Sequence, residues 1–87
     1  MNKLNKQGEK IVAAIQAGIA AMTPARWQEE NEKAAQYEDE GEWFAPEFSA
    51  ARAATEGISW DFDGWKNTLE YLTDGSGKLG GVSFLAD

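Results

Sequence analysis

The sequence predicts an all-α fold: a small single-domain bundle of about four short helices with a glycine-rich, partly docked tail. Three observations carry this expectation. Apolar residues recur at helical spacing in the first and last thirds of the chain. Alanine, the best helix former, fills many of the gaps. The signals Thr23-Pro24, Ala45-Pro46 and Asp74-Gly75 cut the chain into segments of helical length. Its 87 residues allow one domain, 1–87. A chain this short needs a rich core, and four Trp, four Phe and two Tyr supply one.

The first helix is expected over 5–22, where Leu4, Ile11, Val12, Ile15, Ile19 and Met22 form one stripe. Gly8 and Gly18 weaken it slightly, and Ala14, Ala17, Gly18 and Ala21 leave room for a close neighbour. Thr23 caps a second helix over 24–38, with Pro24 at its first position. Glu29 and Glu30 lie in its early turns, where the helix dipole favours acids. Its apolar face is thin, so Trp27 must anchor it. Glu29 and Lys33 form an i,i+4 pair of favourable order. Pro46 opens a third helix over 46–56, with Phe44, Phe48, Ala51 and Thr55 on one face and Gly57 as its stop. A fourth helix is expected over 61–73, capped by Asp61 or Asp63 and buried through Phe62, Trp65, Leu69 and Leu72. In the tail, 75–87, Phe84 and Leu85 dock on the core, because a lone strand has nothing to pair with.

The centre of the chain is Tyr37-Glu38-Asp39-Glu40-Gly41-Glu42-Trp43-Phe44-Ala45-Pro46-Glu47-Phe48. Five carboxylates stand beside three large rings and Tyr37. Rings ask for burial and carboxylates for water, so the stretch reads as a corner between the second and third helices. Phe44 and Phe48 are assigned to the core, the acids to solvent, and Trp43 is expected to be partly exposed. The net charge of −7 concentrates here: residues 29–63 hold eleven acids against Lys33 and Arg52. Such a field repels phosphate and attracts a basic partner.

The sequence offers little chemistry. It has no cysteine and no histidine, which removes thiolate sites, the commonest general base and the commonest metal ligand. Glu38, Asp39, Glu40 and Glu42 could in principle pair as acid and base, but carboxylates this dense usually form a solvated face. No enzyme activity, cofactor or metal is expected. One pattern gives a calcium alternative. Counted from Ser59, the oxygen side chains Asp61, Asp63 and Glu70, with Gly64 sixth, follow the spacing of an EF-hand loop. Ser59 in the first position, Lys66 in the eighth and Gly57 before the loop depart from that pattern. The segment from Ile11 to Met22 is too short to span a bilayer, and the amino-terminal residues lack a signal-peptide core, so a cytoplasmic location in a host cell is expected.

Chain length, the acidic segment Glu29 to Asp63, and Trp43-Phe44 beside Glu38, Asp39, Glu40 and Glu42 resemble a class of small phage- or plasmid-encoded inhibitors of host defence. Anti-CRISPR proteins and acidic DNA-mimic antirestriction proteins are its types. The resemblance implies a partner protein with a basic nucleic-acid-binding surface, whose groove is blocked by carboxylates standing in for phosphates. It implies contact through Glu29, Glu30, Glu38, Asp39, Glu40, Glu42, Trp43 and Glu47, as a monomer or homodimer, without direct nucleic-acid or membrane contact. The alternative is a regulatory or structural domain that self-associates through Ile11, Ile15 and Ile19 of the first helix.

Overall fold

The computed structural model describes residues 2–37 and 41–87. In chain order the elements are α1 (Lys6–Ala21), α2 (Pro24–Gln36), α3 (Gly41–Phe44), a 3-10 turn (Pro46–Phe48), α4 (Ser49–Ala54), α5 (Trp65–Thr73), β1 (Lys78–Leu79) and β2 (Val82–Ser83). The expectation of a small helical domain therefore holds, with a two-stranded hairpin added. Among the described residues no helix is long and apolar enough to cross a membrane.

The first two helices start where their caps require. The Asn5 side chain accepts the Gly8 N–H at 2.8 Å, and Thr23 Oγ1 accepts the Arg26 N–H at 3.2 Å. Helix α1 packs against α4, α5 and the 3-10 turn, which buries Ile11 and Ile15 completely. Ile11 and Ile15, two of the three residues of the stripe expected to serve a second copy, thus belong to the chain's own core, and Ile19 is half-buried against it. Gly18 does permit a close approach, but the neighbour is a ring: a Cβ there would stand 2.5 Å from Phe48 Cδ1.

The middle departs from one long third helix. The chain makes an extra turn at α3, tightens into the 3-10 turn at Pro46, and only then forms α4, which stops at Ala54. The Thr55 hydroxyl folds back onto the Ala51 carbonyl at 2.9 Å and is buried there. Phe44 is corrected: the bend turns it outward, 53% exposed, while Phe48 enters the core.

The fourth expected helix starts at Trp65, not at residue 61. Neither Asp61 nor Asp63 caps it. Gly64 holds the N-cap at φ 112°, a conformation that L side chains rarely adopt, and no side chain of the cap bonds the helix. Phe62 joins the core from the preceding irregular segment instead of from the helix. It meets Trp43 edge-on at 4.2 Å and Trp65 at 5.0 Å.

The tail is the main correction. It pairs with itself and with the amino-terminal segment. Gly80 and Gly81, both at positive φ, make the two-residue turn that sets Lys78 opposite Ser83 and Leu79 opposite Val82. Beyond it, Leu85 bridges Leu4, and the Asn5 N–H reaches the Phe84 carbonyl at 2.8 Å. Phe84 is buried as expected, whereas Leu85 is only partly covered, 38% exposed. The core is one cluster drawn from every region: Ile11, Ile15, Met22, Ala45, Phe48, Ala51, Trp65, Leu72, Leu79 and Phe84.

Candidate partner-binding surface

The candidate acids separate into three environments. The first is a network around Arg26. This guanidinium grips Glu47 with two bonds (Nε–Oε2 2.7 Å and Nη2–Oε1 2.8 Å). It also meets Glu30 Oε1 at 2.7 Å and Glu29 Oε1 at 3.0 Å. Lys33 closes the network on Glu29 at 3.4 Å and Glu30 at 3.5 Å. The spacing of α2 explains it, since residues three and four apart share a face. Only Glu47 arrives from elsewhere, on the 3-10 turn. Arginine's bond holds the Glu47 carboxyl down at about 2 and keeps Glu29 low, with Lys33 assisting there. Glu30 is 3% exposed, so it stabilises the join of α2 to the turn and presents little charge outward.

The second environment belongs to Glu42. It is half-buried and forms no ion pair among the described residues. Burial pushes its carboxyl above the ordinary 4.5, opposed by the nearby Lys66 and by the Trp65 backbone N–H. That N–H opens α5, so Glu42 supplies from α3 the anion that Asp61 and Asp63 were expected to supply. The fit also explains Gly64: a Cβ there would stand 3.1 Å from Glu42 Oε2.

The third environment is aromatic. Trp43 is half-buried, its indole stacked parallel on Trp65 at 5.2 Å and tilted against Trp60 at 5.6 Å. Its outer side is covered in part by Arg52, whose guanidinium carbon lies 5.7 Å from the Trp43 ring and 4.7 Å from the Phe44 ring. The rings most open to solvent are Tyr37 at 70% and Phe44 at 53%. Both border a cavity of about 420 Å³ whose wall includes Glu30, Lys33 and Pro46. Sequence reading chose Trp43 as the anchor and missed Phe44 because only the bend at Ala45 decides which of two neighbouring rings turns inward. Glu38, Asp39 and Glu40 lie outside the described residues.

The calcium alternative finds no support in the geometry. Asp63 accepts the Tyr71 hydroxyl at 2.7 Å, which raises the Tyr71 pKa. Among the described residues no three His, Cys, Asp or Glu side chains come together as a ligand set, so Asp61, Asp63 and Glu70 do not converge on one point. No family model matches this chain, and no curated protein or solved structure matches it either.

Proposed function

We propose that the protein is a non-enzymatic inhibitor that lays an acidic, aromatic-anchored surface into the basic groove of a nucleic-acid-handling protein. One observation carries the reading: Tyr37 and Phe44, the two most exposed rings, border one cavity and flank in sequence the run Glu38-Asp39-Glu40. Rigid exposed rings beside dense negative charge suit a cationic groove, where ring burial anchors and charge steers. The contact set changes accordingly. Glu38, Asp39, Glu40 and Glu29 supply charge; Phe44 and Tyr37 replace Trp43 as anchors; Glu30 and Glu47 serve the fold.

The test is inhibition of CRISPR effector complexes and restriction enzymes in DNA-binding and cleavage assays. Inhibition by the wild-type chain should weaken about tenfold or more between 50 and 300 mM salt, as screening of several charge pairs requires. Phe44→Ala and Glu40→Lys should each weaken it with unchanged thermal stability. Trp43→Ala is unsuitable, because deleting a stacked core ring costs about 3–5 kcal/mol. Absence of inhibition across the panel, or inhibition indifferent to salt and to both substitutions, overturns the reading.

A further inference from the structure

A second concavity, of about 310 Å³, lies between α2 and the start of α5. Trp27 and Asn31 line it from α2, Glu42 from α3, and Asp63, Lys66 and Asn67 from the α5 entrance. We propose that this pocket receives an arginine guanidinium from the partner protein, an inference that rests on the inhibitory reading above.

The lining is a set of acceptors around one aromatic face. The Glu42 carboxylate lies near the Trp65 N–H and forms no ion pair among the described residues, so most of its roughly four lone-pair sites are available. Asp63 accepts from Tyr71 through Oδ2. The Asn67 Nδ2 group gives one of its two N–H donors to the Asp63 carbonyl at 2.9 Å, and its carboxamide oxygen is left to accept. A guanidinium carries five donors and no acceptor, so it matches these acceptors, and the charge of Glu42 and Asp63 disfavours an anion.

The pocket also contains a stand-in for its ligand. The Lys66 ammonium sits 4.3 Å from the centre of the Trp27 ring and forms no ion pair among the described residues. A cation therefore already occupies the indole face without satisfying either carboxylate. Two carboxylates against one ammonium leave the site one positive charge short. An incoming guanidinium stacks flat on Trp27 as an ammonium cannot and moves the flexible lysine off the ring; with the ammonium kept at the pocket's edge, two cations then face the two carboxylates.

The experiment titrates the full chain with acetyl-Gly-Arg-Gly-amide, following the carboxamide signals of Asn31 and Asn67 and the Trp27 indole by NMR. The same peptide with citrulline keeps the shape and removes the charge. The arginine peptide should shift these signals in a saturable way and the citrulline peptide should not. Glu42→Gln keeps an acceptor for the Trp65 N–H and should weaken binding about tenfold, the worth of a charge-assisted bond. Lys66→Ala frees the indole and should strengthen it. Equal shifts with citrulline, shifts confined to other surfaces, or unchanged affinity in both variants overturn the inference. Peptide binding here without inhibition of any effector upholds the pocket and sinks the inhibitory reading. Inhibition that Glu42→Gln and Lys66→Ala leave untouched does the reverse.

Discussion

Arg26 holds three carboxylates, and one of them, Glu30, has almost no water to fall back on. Removing one partner of a buried pair leaves a charge uncompensated, which typically costs about 3–5 kcal/mol. Arg26 itself is a quarter exposed, so water can enter, and Arg26→Ala should lose more than an exposed pair does and less than a fully buried one. Urea denaturation measures it, and a loss below about 0.5 kcal/mol, the range of surface pairs, shows a solvated network. Arg26→Lys should recover only part, since an ammonium cannot grip Glu47 with two parallel bonds. Half of this cluster was legible. Arg26, Glu29 and Glu30 sit at i, i+3 and i+4 on an expected helix, and Glu29–Lys33 was expected as a pair. Glu47 was not, because it lies twenty-one residues from Arg26 and its approach depends on the turn that begins at Pro46.

At the level of elements, the start of α5 and the 3-10 turn titrate with opposite signs. Glu42 is raised by burial, so its folded state prefers the proton; its stabilising contribution is present below 4.5 and lost as pH rises through the shifted value. Glu47 is depressed to about 2, so its contribution is present above 4.5 and lost as pH falls toward 2. Together they place the stability maximum near the ordinary carboxylate range, below neutrality. Melting temperature followed from pH 7 to pH 3 should rise and then fall. In Glu42→Gln the melting temperature should exceed wild type at pH 7 and converge with it near pH 4.5. A variant less stable than wild type at pH 7 shows that the carboxylate's charge on the helix terminus outweighs its desolvation. No residue pattern pointed directly to this arrangement. Asp61 and Asp63 have the usual cap chemistry, but Gly64 turns the backbone before the helix begins, and the anion then comes from another element.

Over the whole molecule, the hydrophobic pattern identified the core better than it identified the boundaries. Ile11, Ile15, Phe48, Trp65, Leu72 and Phe84 are buried where periodicity and docking placed them. The hairpin was missed although Gly80-Gly81 between apolar residues is a turn signal, because two-residue strands leave almost no alternating pattern to read. Phe84 is the point where the tail joins the core, and Phe84→Ala should cost about 3–5 kcal/mol in denaturant titration. A cost near zero means the tail is an appendage. The tie between the two ends has a consequence for synthesis. The Asn2 and Asn5 N–H groups bond to the Thr73 and Phe84 carbonyls, and the Lys3 carbonyl accepts the Ala86 N–H. A ribosome delivers those partners at the end of the last helix and beyond it, so α1 emerges with its apolar stripe uncovered and the residues before it without their long-range bonds. The fold cannot close before residues 73–86 have emerged, and until then the apolar stripe of α1 is open to chaperones and proteases.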